Sequence, residues 1–215
     1  MLLYYIQGSP FARMARVLLR EFEIPCAETL IEEFPPSPAY FDVNPLGQVP
    51  VIEDGTNRFF PTSVVLNHIV AKAQESGAPT SDIARTLFRE ESRQQDEQLF
   101  VVLLAMGDMM AAVQYAKWAG LAVVDRNRLG FEPAQRNMLR VYRTLDWLEQ
   151  RAAKNGFWPS TTSVQDVVLA CLILWSESRG PVQWRGRPKL EGIVSGLEGR
   201  PSFKSTAPLP LEPTF

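Results

Sequence analysis

The stretch from Asn44 to Ile52 has the residue types of a strand edge that could bind a peptide. It reads Asn-Pro-Leu-Gly-Gln-Val-Pro-Val-Ile, so prolines and a glycine precede and interrupt an apolar, β-branched run. Pro50 has no N–H to give to a sheet, and it therefore belongs at the start or the edge of a strand. A residue before proline is held extended. Val49 is thus predicted to present its own N–H and C=O to a peptide-like ligand.

Two further segments, Ser9-Pro10 and Pro61-Thr62-Ser63, have the composition of helix starts. Serine and threonine cap helices, and proline suits the first helical position. The free N–H groups of a helix start also attract anions. Taken alone, the residues favour a capping role for Ser9, and they leave capping and anion binding about equal for Thr62 and Ser63.

Composition excludes several classes of partner. The chain has 215 residues, 46% of them hydrophobic, and a net charge of −2. No block of lysine and arginine stands out, so neither nucleic acid nor an anionic membrane is expected as a partner. The run from Val167 to Trp175 is too short to span a bilayer, and the N-terminus lacks a basic segment typical of a signal peptide. These features predict a soluble protein.

The two cysteines, Cys26 and Cys171, lie far apart and outside any metal-binding spacing. Neither a disulfide framework nor a zinc site is predicted, and a reducing cytoplasm fits best. The only histidine, His68, has no carboxylate at a readable spacing and is interpreted as structural or surface. Asp96 lies in a polar part of a predicted helix and is interpreted as a solvated charge.

The first 76 residues alternate between strand and helix patterns. Strands are predicted at Leu2 to Ile6, at Cys26 to Ile31, from Val49, and at Arg58 to Phe60, with a turn at Asp54-Gly55. Apolar residues at helical spacing predict the first helix: Phe11, Met14, Ala15, Leu18, Leu19 and Phe22. A short helix over Ala39 to Val43 and a longer one after Ser63 complete the order β-α-β-α-β-β-α, which describes a small α/β domain.

Residues 77–80 are predicted to be a linker, and after them the strand patterns stop. A long helix is expected from Ser81, bent near Gly107, and another from about Pro133 to Lys154. Ser163-Val164-Gln165-Asp166 has the pattern of a capping box before a wholly apolar helix. A last helix is expected near Pro188, and the chain from Pro201 onward is predicted to be an extended tail.

Together these motifs resemble the cytosolic glutathione transferases, and the resemblance covers essentially the whole chain. It is carried by Ser9-Pro10-Phe11-Ala12-Arg13, by the stretch from Asn44 to Pro50, by the capping box, and by Arg200-Pro201-Ser202-Phe203. The match is to bacterial-type members with a serine active site. It implies a thioredoxin-like domain over residues 1–76, an all-helical domain over 81–215, a cis peptide bond at Val49-Pro50, and a cytoplasmic homodimer.

The resemblance also implies roles for single residues. Ser9 would stabilise the thiolate of glutathione, the co-substrate. A donor and a helix N-terminus lower the pKa of a thiol, which is otherwise about 8.5. Glutathione would contact Gln48, Val49, Pro50, Thr62 and Ser63. Thr62 departs from the acidic or amide residue usual in the family, because it is shorter and uncharged.

A hydrophobic electrophile would be the second substrate, and no metal is implied. Residues that could line its pocket are Phe11, Met106, Met109, Met110 and Tyr115, although a core or dimer-contact role suits the methionines as well. The implied activity is that of a glutathione S-transferase that conjugates or reduces such an electrophile. The alternative is a relative without catalysis that serves as a ligand-binding or protein-interaction module. A thiol-disulfide mechanism would need a cysteine at position 9.

Overall fold

The computed structural model describes residues 1–77, 81–120, 133–180 and 182–209. Packing divides the chain into two compact units. The first unit comprises residues 1–87 together with the described residues from 199 on, and the second comprises residues 88–198. The predicted fold class, an α/β part followed by an all-helical part, is confirmed. Most of the predicted linker, residues 78–80, lies outside the described residues.

The first unit is built on a four-stranded mixed sheet. Its strands are β1 (Leu2–Tyr5), β2 (Ala27–Leu30), β3 (Val51–Asp54) and β4 (Asn57–Phe59), in the order β2-β1-β3-β4. β1 runs parallel to β2 and antiparallel to β3, and β4 forms a hairpin with β3. The predicted strand at Val49 begins two residues later, at Val51, because Pro50 has no N–H to contribute to the ladder.

Two helices, α1 (Pro10–Glu21) and α2 (Thr62–Glu75), pack against each other in this unit. The apolar stripe of α1 is buried, as predicted from its spacing, apart from Phe11, which is half-buried. The helix predicted at Ala39 to Val43 is a short 3-10 helix, Pro38–Asp42. The observed order therefore matches β-α-β-α-β-β-α, with the second helix reduced to little more than one turn.

The chain from Pro201 onward was predicted to be an extended tail, but it includes a short helix, α7 (Pro201–Lys204). The guanidinium of Arg200 binds the carboxylate of Glu21 on α1 at 2.7 Å, and Ser202 donates a hydrogen bond to the same carboxylate. Phe203 is 1% exposed. These contacts place the segment in the first unit, whereas the sequence analysis assigned it to the helical domain.

The second unit consists of α3 (Arg93–Trp118), α4 (Pro133–Arg151), α5 (Val164–Arg179) and α6 (Pro188–Glu198). The helix predicted to start at Ser81 starts twelve residues later, at Arg93, and it continues through Gly107. Residues 81–87 instead belong to the first unit, where the hydroxyl of Ser81 donates to Glu21 at 2.7 Å.

The capping box at the start of α5 is confirmed. The Ser163 hydroxyl accepts from the N–H of Asp166 at 3.1 Å, and the Asp166 carboxylate accepts from the N–H of Ser163 at 2.7 Å. The same carboxylate accepts a hydrogen bond from the N–H of Phe157 at 2.9 Å. Burial raises the pKa of Asp166 to about 6, although these hydrogen bonds act to lower it.

Among the described residues, one helical stretch, Glu90–Trp118, is long and apolar enough to cross a membrane by length and composition alone. The core helix of a soluble protein meets the same criterion. Several of its apolar side chains are buried within the second unit: Leu99, Phe100, Leu103, Met106, Met110 and Val113.

Candidate functional site

Three chain segments that the sequence analysis singled out meet at one end of the sheet. Tyr4, the last residue but one of β1, pairs with Val51 at the start of β3, and Phe59 at the end of β4 pairs with Ile52. The chain leaves β1 toward Ser9, enters β3 from Val49, and leaves β4 toward Thr62. Strand direction therefore brings all three segments to the same edge.

A cluster of buried side chains holds this edge together. It contains Ile6 after β1, Ala12 in the first turn of α1, Tyr40, and the pair Val49 and Val51. Phe60, the residue just before Pro61, packs against the cluster from the side of α2. Close-packed side chains leave little room for relative movement. The cluster therefore fixes the three segments relative to one another.

Ser9 is the N-cap of α1. Its Oγ accepts a hydrogen bond from the N–H of Ala12 at 3.2 Å, and its own N–H donates to the carbonyl of Ile6 at 3.0 Å. A hydroxyl that accepts at its oxygen keeps its proton for a second partner. The first turn of α1 contains no acidic residue, so no carboxylate there opposes a negative charge beside Ser9.

The Val49-Pro50 peptide bond is cis, as the resemblance implies. Val49 is buried through its side chain. Its N–H and C=O have no hydrogen-bond partner in the part of the chain that the structure describes. A ligand with a peptide backbone could supply both bonds.

The loop before Val49 is held by two residues that the sequence analysis did not assign to the site. The Asn44 side-chain amide donates to the carbonyl of Gln48 at 2.7 Å, and the hydroxyl of Tyr40 donates to the same carbonyl at 3.2 Å. Asn44 also accepts from the N–H of Leu46 at 3.0 Å. The sequence signal for this role was the Asn44-Pro45 pair, since an asparagine side chain in a turn commonly forms a hydrogen bond with the backbone two residues later.

The buried environment of Tyr40 keeps its hydroxyl a hydrogen-bond donor. Burial, with a smaller contribution from Tyr4, raises the pKa of Tyr40 well above its ordinary value. The hydroxyl therefore stays protonated at neutral pH and can hold the Gln48 carbonyl. The side chain of Gln48 itself is exposed, so it is free to meet a ligand.

The start of α2 offers unsatisfied donors. The carbonyl of Pro61 accepts from the N–H groups of Val64 and Val65 at 2.9 and 3.1 Å. The N–H groups and hydroxyls of Thr62 and Ser63 have no partner among the residues that the structure describes. A helix start with free N–H groups and no acid in its first turn is a site for a carboxylate.

The residues predicted to line an electrophile pocket have different environments. Phe11 is half-buried in the first unit. Met106 and Met110 are 0% and 1% exposed, so they pack in the interior of the second unit. Met109 lines a groove between α3 and α4, and Tyr115 is 51% exposed. The three methionines therefore do not line one common pocket.

One interpretation of a charged residue was wrong. Asp96 is 2% exposed rather than solvated. It binds the Arg89 guanidinium at 2.8 Å and accepts from the N–H of Arg89 at 2.9 Å. Such a pair, seven residues apart across the start of a helix, has no periodic signature in a sequence.

His68 does have a carboxylate partner. Its Nε2 lies 3.1 Å from Oδ2 of Asp54, and its ring stacks on Phe59 with centroids 3.8 Å apart. Lys72 also binds Asp54, at 3.3 Å, and this contact lowers the pKa of that carboxyl. The cluster ties α2 to the β3–β4 hairpin. No group of three or more potential metal ligands occurs within the described ranges.

Comparison with known proteins agrees with this geometry. Residues 8–69 match the family model described as the glutathione S-transferase N-terminal domain. This range contains Ser9, the Val49-Pro50 bond and the start of α2. A search of curated proteins gave no match.

Solved structures extend the likeness to the whole chain. A glutathione S-transferase from Methylobacillus flagellatus KT with GSH bound is 21% identical, with 97% of this chain and 99% of that chain covered and a TM-score of 0.78. One from Methylobacterium radiotolerans JCM 2831, in complex with glutathione sulfonate, is 19% identical, with 100% and 97% covered and a TM-score of 0.79.

A third structure is a glutathione transferase family member from Pseudomonas fluorescens Pf-5 with bound glutathione. It is 23% identical, with 97% of this chain and 98% of that chain covered and a TM-score of 0.77. Identities this low establish a shared fold only. The family match covers only the N-terminal part of the chain. Residues 8–69 match the N-terminal domain model of the glutathione S-transferases, and the chain as a whole has the fold of the glutathione transferase structures.

Proposed function

We propose that this protein is a glutathione S-transferase, which binds glutathione at the end of its N-terminal sheet and directs the thiolate at a hydrophobic electrophile. The observation that carries the proposal is that three groups with unused hydrogen-bonding capacity lie at the same end of the sheet. These are the backbone of Val49, the helix start at Thr62 and Ser63, and the proton of the Ser9 hydroxyl.

Each group suits one part of the tripeptide. Val49 pairs with the backbone of the cysteinyl residue as an added strand, beside the exposed side chain of Gln48. Ser63 and the N–H groups of α2 bind the γ-glutamyl carboxylate. Ser9 donates its proton to the sulfur, and the start of α1 adds a favourable field for negative charge.

The chemical step is a nucleophilic substitution or addition. The thiol loses its proton to solvent, and the sulfur lone pair forms a bond to an electrophilic carbon. In a substitution a leaving group departs with its electron pair; in an addition the π bond of the electrophile breaks, and the atom that receives its electron pair takes up a proton from solvent. A hydrogen bond from Ser9 lowers the thiol pKa and so increases the fraction of thiolate at neutral pH. A cytoplasmic homodimer, with the family's arrangement, remains part of this proposal.

Thr62 supports a second candidate, a binding module without catalysis. A threonine cannot offer a full charge to the ammonium group of the γ-glutamyl residue, as an acidic side chain would. A protein of this kind would bind glutathione weakly or bind another ligand. Its role would be to carry that ligand or to bind another protein.

Two measurements together distinguish the candidates. Calorimetry with millimolar glutathione tests binding, and conjugation of 1-chloro-2,4-dinitrobenzene tests catalysis. The transferase proposal expects saturable heat and thermal stabilisation of up to a few kcal/mol at saturation, with turnover that depends on Ser9. Binding without turnover for any of a panel of electrophiles would favour the module, and the absence of binding would overturn both assignments of the site.

A further inference from the structure

His68 joins the second turn of α2 to the β3–β4 hairpin at two points. Its ring stacks on Phe59, with the centroids 3.8 Å apart and the planes 13° from parallel. Its Nε2 lies 3.1 Å from Oδ2 of Asp54. Since an ionised carboxylate only accepts hydrogen bonds, this nitrogen carries the proton. The His68 side chain is 13% exposed, so both contacts are largely shielded from water.

These contacts lie close in the chain to the start of α2. Phe59 is the last residue of β4, and α2 begins at Thr62, so only two residues connect the strand to the helix. A short connection alone does not fix how far a helix lies along its axis, whereas side-chain contacts do. The stack of His68 on Phe59 supplies such a contact, and Asp54 adds a second one from the far end of the hairpin.

A further polar contact holds the next turn of α2. Lys72 binds the same oxygen of Asp54 at 3.3 Å. His68 and Lys72 lie four residues apart and therefore on one face of the helix. The hydrogen bond from Lys72 lowers the pKa of Asp54, so the carboxylate stays ionised at neutral pH. One ionised carboxylate thus holds two successive turns of α2.

The same hairpin also supports the other side of the proposed site. Arg58 on β4 donates to the carbonyl of Asp42 at 2.8 Å. Asp42 is the last residue of the short helix that contains Tyr40, and Tyr40 in turn holds the loop before Val49. The hairpin is therefore a common support for this loop and for α2. His68 is one of the contacts that set the position of α2 on that support.

We propose that His68 is a positioning residue for glutathione, and this role rests on the proposed function. Its two contacts with the hairpin fix the start of α2, where the donors of Thr62 and Ser63 meet the γ-glutamyl carboxylate. His68 lies five residues beyond Ser63, about 7.5 Å along the helix axis, so its effect on the ligand is indirect. Ligand-binding groups must be held within about 0.5 Å of their productive geometry. A displaced helix start would lengthen every hydrogen bond to that carboxylate.

The test compares two ligands that differ in one group. The first is glutathione, and the second is 4-aminobutyryl-cysteinyl-glycine, which lacks only the carboxylate of the γ-glutamyl residue. Calorimetry on the full chain gives the affinity for each ligand, at a temperature where every variant is fully folded by its melting curve. The ratio of the two affinities measures the carboxylate contact. A general loss of stability leaves this ratio unchanged.

Three substitutions separate the two contacts of His68. His68→Ala removes both, His68→Phe keeps an aromatic ring for the stack, and His68→Gln keeps an N–H donor for Asp54. Asn67→Ala is the matched control. Asn67 is the exposed neighbour on the same turn, and its side chain has no hydrogen bond with any residue that the structure describes.

The alanine variant should bind glutathione about three- to tenfold more weakly, the range of one partly exposed hydrogen bond. Its affinity for the decarboxylated ligand should stay within about twofold of wild type. The phenylalanine and glutamine variants each keep one contact and should lie between alanine and wild type. Asn67→Ala should match wild type for both ligands.

Kinetics provide a second measurement. In His68→Ala the KM for glutathione should rise by about the same factor as the loss of affinity. The kcat at saturating glutathione should change little, because Ser9 lies on α1 and keeps its place. A fall in kcat without a rise in KM would contradict a role in positioning α2.

An equal loss of affinity for both ligands in His68→Ala would overturn the positioning role, as would an unchanged affinity for glutathione. Failure of the proposed function is distinguishable, because it appears in the wild-type protein before any substitution. Wild type that binds neither ligand would contradict the proposed function and the role of His68 together. Wild type that binds both ligands equally would show that the start of α2 does not hold the carboxylate, and the role of His68 would fall while glutathione binding stands.

Discussion

The oxygen of Ser9 accepts a hydrogen bond from the N–H of Ala12 at 3.2 Å, so one hydroxyl caps α1 and still has a proton to donate. Capping and catalysis are therefore compatible at this residue. The two roles differ in what they predict for a variant. Loss of a cap lowers the free energy of unfolding, while loss of a donor to sulfur changes the thiol pKa.

Replacing Ser9 by alanine should slow conjugation about ten- to a hundredfold. This range corresponds to one hydrogen bond to a charged group, worth roughly 1.5–3 kcal/mol. The pH-rate profile should move to higher pH, because the bound thiol needs a higher pH to ionise. The measurement is conjugation rate against pH, together with glutathione affinity, which should change much less.

Ser9→Thr is the matched control, since it keeps both hydroxyl functions. It should retain most of the activity and the wild-type pH profile. The alanine variant should also lose about 1 kcal/mol of stability from the missing cap. If alanine costs stability but leaves the rate and its pH dependence in place, Ser9 is a cap only.

Ser63→Ala should weaken glutathione binding, because it removes a free hydroxyl beside the carboxylate site at the start of α2. We expect a loss of about three- to tenfold in affinity, the range of one partly exposed hydrogen bond. Calorimetry measures it directly. The neighbouring exposed residue Val64 offers a control, since Val64→Ala alters the same turn without removing a donor group, and its affinity should match wild type.

Thr62→Gln should have the opposite effect. A longer amide side chain reaches further than threonine and can accept a hydrogen bond from the ligand's ammonium group. An increase in glutathione affinity of about threefold or more is expected. An unchanged or weaker affinity would show that Thr62 is suited to a different ligand, and it would favour the binding module over the transferase.

Asn44→Ala should lower both stability and glutathione affinity. Asn44 is 1% exposed, and its amide holds the Gln48 carbonyl at 2.7 Å. Losing this bond costs about 1 kcal/mol, and it frees the loop that presents Val49. A melting temperature lower by about 2–4 °C is expected for a chain of this size. Affinity that falls severalfold at a temperature where the variant is fully folded would identify a positioning role.

Asn44→Asp separates the two bonds of this side chain. A carboxylate still accepts from the N–H of Leu46, but it cannot donate to Gln48. Its affinity should therefore resemble that of Asn44→Ala. Wild-type affinity in both variants would show that Tyr40 alone positions the loop.

Local signals explain what the sequence predicted correctly. The periodic stripe of α1, the Asp54-Gly55 turn and the capping box of Ser163 and Asp166 all lie within a few neighbouring residues. Each is recognised by the residue types of a turn or by the spacing of its residues, and each is present in the structure. The stretch that we propose to bind glutathione was singled out through Pro50, whose missing N–H limits where it can lie in a sheet.

Long-range partners explain what was missed. Glu21 meets Arg200, which lies 179 positions away, and His68 meets Asp54 across a hairpin and a helix turn. A sequence pattern shows neither contact. The short α7 was missed for the same reason, because burial of Phe203 and the pairing of Arg200 hold a segment whose composition alone reads as a tail.

The buried capping box predicts a pH-dependent stability. Asp166 is 1% exposed, and burial raises its pKa from 3.8 to about 6 in the folded protein. A carboxyl whose folded pKa is raised binds more protons when folded than when unfolded. The free energy of unfolding should therefore fall as pH rises from about 4 to about 6. From the size of the shift, the loss is on the order of 3 kcal/mol at most.

Denaturant unfolding of wild type and Asp166→Asn between pH 4 and 7 measures this contribution. Asparagine keeps an acceptor oxygen but does not titrate, so the variant's stability should lack the part of the slope between pH 4 and 6. The variant should also be less stable overall, because its amide group donates where Ser163 and Phe157 need an acceptor. Parallel pH profiles for the two proteins would mean that the hydrogen bonds from Ser163 and Phe157 outweigh burial, and that Asp166 is ionised throughout this range.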